Sequence, residues 1–446
     1  MNTAHVAADF EVVVIGAGPN GSAAAALLAR HSGIAPARIA LLAPELDSAA
    51  AADTVASAGP ASAGPVPAGV VAPPDLRVAA ISRASEQMLR NAGAWQRLPQ
   101  ARRCAYERMR IWHESEPADG PGTLVFTAAE FAEPDLGHIV ENRALAAAAL
   151  ASFRAQGGRV IGARLQSLAG DAAVARLGTD QGDIAARLVV GADGARSQVR
   201  ELLALPVREH DYGQSAIVAT IATARPHQHT AWQRFLGSGP LAFLPLFDGS
   251  SSIVWSAGKA LAEQLMALAP RDFSRRLEAA SDGVLGAVHL LGARALVPLR
   301  RATAVTLVGR RMALVGDAAH VIHPLAGQGV NLGFMDAAAL TGVLASGIGE
   351  REDPGAARLL TRYEQERLTH DTLMSWAMSV INEVFTHGPG AAGWLAARLL
   401  GLAGANAGLR RLLARRALGL AGEVPALARR LPAGTMASEE RRAAAW

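Results

Sequence analysis

Residues 315–333 read Val-Gly-Asp-Ala-Ala-His-Val-Ile-His-Pro-Leu-Ala-Gly-Gln-Gly-Val-Asn-Leu-Gly, and this stretch decides the fold. A short apolar run, Arg311 to Val315, ends at Gly316-Asp317. A Pro/Gly loop follows, and a helix-like segment opens at about Gly329. Asp317, at a strand end, can accept hydrogen bonds from sugar-like hydroxyls. The N–H groups that start the next helix have no partners within it and favour an anion ahead of them. Gly327, Gly329 and Gly333 let the backbone approach a flat ligand closely. A flavin with its ribityl chain and pyrophosphate needs all three features.

The matching half lies at the N-terminus. Phe10 to Ile15 reads as a buried strand, Gly16-Ala17-Gly18-Pro19-Asn20-Gly21 as a tight turn, Ser22 to Arg30 as a small-residue helix, and Arg38 to Leu42 as a second strand. A GxGxxG between strand and helix is the context in which this weak motif becomes a dinucleotide site. A third piece, Leu188 to Arg200, has an apolar strand, then Gly191-Ala192-Asp193-Gly194, then a helix begun near Ser197. Alone it is a strand–turn–helix with an aspartate turn; beside the other two it reads as part of the same nucleotide pocket.

With 446 residues the chain can build two or three domains with a sizeable core. It is half hydrophobic and 18% charged, which excludes wholesale disorder. The single cysteine, Cys104, excludes a disulfide framework, a Cys-x-x-Cys metal site and the dithiol flavoproteins; no metal site is expected. No signal peptide is legible, since the first apolar run leads straight into the phosphate turn. The longest apolar stretch near the end, Ala391 to Leu409, is interrupted by Arg398 and by glycines, which suits a lipid-facing span poorly. The expected location is cytoplasmic, with peripheral contact at the inner face of the membrane as an extension. Net charge is +4, but residues 391–446 hold nine Arg against three Glu, leaving the rest of the chain slightly acidic. No aromatic interleaving accompanies the arginines, so nucleic acid is not expected as a partner. The basic tail fits a membrane surface, a protein of a biosynthetic complex, or a terminal helix docked on its own domain.

The expected architecture is α/β: a Rossmann-like FAD-binding domain, an interleaved β-sheet substrate domain and a C-terminal helical segment. Residues 1–204 form the nucleotide unit, with an Ala/Pro/Gly/Ser insertion at 46–74 that has no core of its own. Residues 205–300 form the sheet unit, 301–350 return to the nucleotide unit with the flavin loop and its helix, and 351–446 are helical. Within the sheet unit, Ala216–Ile221, Leu241–Leu246 and Ser252–Trp255 read as strands, with a turn at Asp248-Gly249. Trp232, Phe235, Phe243, Phe247 and Trp255 read either as walls of a substrate pocket or as plain core.

Four segments in this order, GAGPNG, the Arg77 of DLRVAAISRAS, GADG and GDAAHVIHPLAGQGVNLG, resemble the FAD-dependent aromatic hydroxylases of the p-hydroxybenzoate hydroxylase fold. More narrowly, residues 77–82, 139–143, 239–246 and 253–255 resemble the ubiquinone-biosynthesis hydroxylases, which act on polyprenyl phenols. The resemblance implies that Gly16, Gly18 and Gly21 hold the ADP pyrophosphate. It implies that Arg77 reaches the nucleotide side and that Asn142 faces the cofactor from its helix. Asp193 and Gly194 would support the groove shared by FAD and NAD(P)H, and Gly316 and Asp317 would meet the ribityl hydroxyls. Pro324, Gly327, Gln328, Gly329 and Asn331 would line the isoalloxazine ring. The family's acidic residue at the end of the second strand is replaced by Ala43, with Glu45 the substitute for the ribose contact and Asp47 the next choice.

The implied reaction takes electrons from NAD(P)H onto FAD, forms a flavin C4a-hydroperoxide with O2, and passes OH to the ring of a polyprenyl phenol. His323 and Pro324 sit at the flavin loop as catalytic positions, and no dedicated base is assigned. His320 and His323 read as a general base or as residues that order the loop. Competing readings are a hydroxylase of a soluble aromatic, such as a polyketide or catabolic phenol, and a non-catalytic flavin-binding subunit of a biosynthetic complex. A plain NAD dehydrogenase would leave GADG and GDAAH unexplained.

Overall fold

In a computed structural model the chain is described at residues 8–46, 74–322, 329–367, 408 and 424–430. The core of the nucleotide unit is a parallel sheet centred on the strand Phe10–Ile15. This strand pairs with Gly182–Gly191 on one side and Ile39–Leu42 on the other. Met312–Leu314 extends the sheet beyond Gly182–Gly191, and Arg159–Ile161 beyond Ile39–Leu42, both parallel. Val12, Val13 and Val14 are wholly buried. Helices or loops must therefore cover both faces, which is why this strand reads as a continuous apolar run rather than an alternating one.

The helices in chain order are α1 (Pro19–His31), α2 (Arg83–Asn91), α3 (Asn142–Ala155), α4 (Gln198–Leu202), α5 (Lys259–Ala267), α6 (Pro270–Ala280) and α7 (Gly329–Gly349); residues 357–367 are also helical. Helix α1 contacts both α3 and α7. Its run Ala23–Ala26 is fully buried, because small side chains let three helices and the sheet approach closely. Helix α7 is long and apolar enough to cross a membrane, but 72% of its most apolar window is buried inside the fold. It is therefore a core helix, and it lies elsewhere than the stretch at 391–409, which apart from residue 408 is outside the described residues.

A second sheet of eight strands is largely antiparallel. Its middle is formed by Val207–Thr223, Ser251–Gly258, Gly239–Pro245 and Thr230–Leu236. Two strands from earlier in the chain, Arg108–His113 and Leu124–Thr127, complete one edge. The sheet thus draws on a stretch expected to serve the nucleotide unit. At the other edge Val288–Ala304 runs past residue 300 and pairs through Ala302 and Thr303 with His320–Val321. Asp248-Gly249 makes the expected turn, with Gly249 at φ +86°.

Helices α5 and α6, not expected from the sequence, cover one face of this sheet. Phe243, Trp255, Ile217 and Ile253 pack there with Phe273 and Leu277. This corrects the pocket-wall reading for Phe243 and Trp255, which are core: Trp255 lies 6.2 Å from the Phe273 ring. A small third sheet, Val78–Ile81, Gly137–Glu141 and Arg103–Tyr106, bridges the two units. Its Ala80 and Ile139 share an apolar cluster with Leu244 and Leu246 of the large sheet.

Candidate functional site

Ile15, Gly191 and Leu314 are register partners on three adjacent parallel strands. The three motifs that follow them therefore emerge side by side at the carboxyl edge of the sheet, where open α/β folds bind ligands. Gly16 sits at φ +103°, and a Cβ there would stand 2.5 Å from the Ala192 carbonyl oxygen. At Gly21 a Cβ would overlap the Gly16 carbonyl oxygen. Gly18 differs: nothing lies within 4 Å of its Cβ position. The turn is thus closed by Gly16 and Gly21 and left open at Gly18, with α1 beginning at the next residue. Asn20 lies against both Gly316 and Gly333, where side chains would collide with its amide. Its Oδ1 is buried with no hydrogen-bond partner. The N-terminal turn and the Gly316–Gly333 stretch, some three hundred residues apart, meet at this asparagine.

Asp193 and Gly194 follow the middle strand. Ser197 Oγ donates to Asp193 Oδ1 at 2.6 Å and Val199 N to Oδ2 at 3.0 Å, so the carboxylate caps α4. Arg200 of α4 donates to Ala318 O at 3.0 Å, which ties this segment to the Asp317 turn. Gly194 adopts φ +82° with open space at its Cβ position. Asp317 lies on the turn Gly316–Ala318. Burial raises its carboxyl above the usual carboxylate range, against the lowering effect of His320 and Arg77. Arg77 is exposed, and its carbonyl accepts from Asn142 N at 3.0 Å. Asn142 opens α3 and has a buried Oδ1 without a partner. At the start of α7, Asn331 Oδ1 accepts from Ser82 N at 3.0 Å while its Nδ2 donates to Ala80 O at 2.8 Å. These bonds pin the first turn of α7 to the third sheet. Gly329, the first residue of α7, is open at its Cβ position. Glu45 lies on the single turn Pro44–Leu46 after the second strand. His323, Pro324, Gly327, Gln328 and Asp47 lie outside the described residues.

One central residue was not anticipated. Asp336 of α7 is wholly buried, and its Oδ2 receives the His320 ring nitrogen at 2.7 Å and Gly316 N at 2.9 Å. Its Oδ1 accepts from Arg367 Nε at 2.7 Å. Burial alone would raise this carboxyl; the charges of His320 and Arg367 hold it below the usual range instead. His320 therefore has a buried carboxylate partner. A lone acid inside the apolar run Leu332–Leu344 was the available signal. A second buried polar group, Glu86, Asp135 and His138, has ligand atoms close enough for a metal. However, Arg83 Nη1 already lies 2.5 Å from Glu86 and 2.9 Å from Asp135, filling the place of a cation.

The segment 424–430 returns to the nucleotide unit. Ala428 is buried, Asn91 Nδ2 donates to Leu427 O at 2.7 Å, and Arg430 pairs with Glu133. This part of the basic tail is docked on its own domain.

Comparison with known proteins agrees with this geometry. Residues 81–375 match a family described as FAD binding domain. The chain is 38% identical over 319 residues to the 3-demethoxyubiquinol 3-hydroxylase of Escherichia coli (strain K12), covering 70% of this chain and 80% of that one. It is 37% identical over 324 residues to the ubiquinone hydroxylase UbiL of Rhodospirillum rubrum, covering 70% and 72%. Among solved structures, the HpxO of Klebsiella pneumoniae, complexed with FAD, superposes with a TM-score of 0.69 at 16% identity, covering 93% of this chain and 99% of that one.

Proposed function

The chain belongs to the ubiquinone-biosynthesis branch of the FAD-dependent aromatic hydroxylases, and from that premise we propose that it hydroxylates the ring of a polyprenyl phenol with NAD(P)H and O2. The observation that supports this most directly is the side-by-side emergence of Gly16–Gly21, Asp193 and Gly316–Asp317 from three register-matched strands. The residues present fit FAD. Gly18 is open where a pyrophosphate would need close backbone approach, and Asn20 and Asn142 each bury an oxygen that has no donor. FAD, when bound, supplies the redox chemistry that moves electrons from NAD(P)H and one oxygen atom from O2 to the ring.

The side chains have other tasks. Gly16, Gly18 and Gly21 would receive the pyrophosphate at the start of α1, where unpaired N–H groups favour an anion. Asp317 would take the ribityl hydroxyls, Glu45 the adenosine ribose, and Arg77, Asn142 and Gly194 the remaining polar edge. Asp193, through α4 and Arg200, would hold the Asp317 turn in place. His323, Pro324, Gly327, Gln328, Gly329 and Asn331 would frame the ring and keep water from it. Cytoplasmic placement, with the basic tail touching a membrane surface or a biosynthetic partner, belongs to the same proposal.

The deciding experiment mixes FAD-reconstituted protein with a short-tailed prenyl phenol, NAD(P)H and isotope-labelled dioxygen. One labelled oxygen in the product is the expected result. Slow NAD(P)H oxidation that yields only hydrogen peroxide with every phenol would favour a flavin-binding subunit.

FAD binding itself should be linked to protons. Burial raises Asp317 in the ligand-free chain, whereas donors from ribityl hydroxyls favour its ionised form. Binding should then release a proton, and affinity should climb as pH rises through the elevated value. Calorimetry in two buffers of different ionisation enthalpy reads the proton directly. Asp317→Asn should flatten the slope and weaken FAD binding by about 1.5–3 kcal/mol, the range for a hydrogen bond to a charged group.

A further inference from the structure

The large sheet has two faces, and the helix-covered face is identified by Ile217, Ile221, Ile253 and Trp255. Side chains alternate along each strand, so Thr220 and Ser252 point to the opposite face. They are direct cross-strand partners, and the next residue across is Leu244. Leu244 belongs to the cluster that contains Ala80, whose carbonyl accepts from Asn331 in the first turn of α7. The Thr220–Ser252 pair therefore lies on the sheet face that looks toward the cofactor side of the molecule. Thr220 is 5% exposed and Ser252 0%, and both hydroxyls lack any hydrogen-bond partner. Two adjacent orphaned hydroxyls in an apolar setting are costly unless a ligand satisfies them.

We propose that Thr220 and Ser252 together hold an oxygen substituent on the ring of the aromatic substrate, an assignment that rests on the hydroxylase reading above. A hydroxyl both donates and accepts. The pair can accept from a phenol O–H and donate to its oxygen, or donate to an ether oxygen beside it. Val218 and Val254, flanking the pair on the same face and half-buried, offer apolar contact to the ring. The pair orients the ring and removes no proton from it.

The test uses FAD-loaded protein and follows the flavin absorbance change on binding a short-tailed prenyl phenol. Thr220→Val and Ser252→Ala should each weaken binding about tenfold, with matching affinity for an analogue that lacks the ring oxygen. Thr220→Ser, which keeps the hydroxyl, should bind as the native protein does. Ser251→Ala removes an equally orphaned hydroxyl from the helix-covered face and should leave binding unchanged. Without substrate, the thermal midpoint of Thr220→Val should not fall, since that hydroxyl has no partner to lose. Unchanged phenol affinity in both variants, with hydroxylation by the native protein intact, overturns the assignment and spares the function. A lowered midpoint with unchanged affinity overturns it in favour of a buried structural water. A native protein that binds no prenyl phenol overturns the function and this assignment together.

Discussion

Asp336→Ala is expected to destabilise the folded chain by about 3–5 kcal/mol, the usual consequence of stranding a buried charge by removing its partner. Here two groups that are only 2% and 1% exposed, His320 and Arg367, lose a hydrogen-bonded carboxylate at once. Gly316 N would lose its acceptor too, so the Asp317 turn should loosen and FAD occupancy fall with stability. Chemical denaturation of FAD-loaded and FAD-free protein, with flavin content measured separately, distinguishes these effects. The pH dependence has a definite sign. A carboxyl held below its unfolded value of about 3.8 contributes stability above that value and loses it as pH falls further. The gap between native and variant should therefore be full at neutral pH and shrink below about pH 4. A gap independent of pH would mean that the ionised form of Asp336 plays no part.

Gly21→Ala should abolish FAD binding. The added methyl would overlap the Gly16 carbonyl oxygen, which is backbone and cannot swing aside. Relief requires opening the turn between the first strand and α1, and that displaces Gly18 and the first N–H groups of the helix. Purified protein should be colourless and should not regain visible absorbance with excess FAD. Gly18→Ala separates packing from ligand approach. Space is open at Gly18, so its variant should fold with native stability yet bind FAD weakly. Equal destabilisation by both substitutions would defeat this distinction.

The strands ahead of the three turns were legible because each ends in an uninterrupted apolar run closed by glycine, Val12–Ile15 before Gly16, Leu188–Val190 before Gly191 and Met312–Val315 before Gly316. The helix beginning at Gly329 was legible from the Pro/Gly run ahead of it. The third sheet was harder to read: Arg103–Tyr106 and Val78–Ile81 are four residues each, too short for a period to show. Helices α5 and α6 were hidden because they follow a run of strands and cover that sheet rather than a separate core. Within the candidate site, glycines and Asp317 announced themselves through local spacing. The partnership of Asp336 with Arg367 and His320 did not, because sequence distance carries no sign of which charges meet in space. The hydroxyls of Thr220 and Ser252 were likewise invisible, since their interest lies in what fails to contact them.

The order of strands in the nucleotide sheet also bears on how the chain comes off the ribosome. Phe10–Ile15, the central strand, finds its neighbour at Gly182–Gly191, and that neighbour finds its own at Met312–Leu314. At typical synthesis rates of 5–20 residues per second, roughly 15–60 s separate the making of Ile15 from that of Leu314. During that interval the strand Phe10–Ile15, apolar at every position but Glu11, sits in an incomplete sheet, a natural target for holding chaperones. Yield in a cell should therefore respond to translation speed and chaperone supply more sharply than the stability of the finished molecule would indicate.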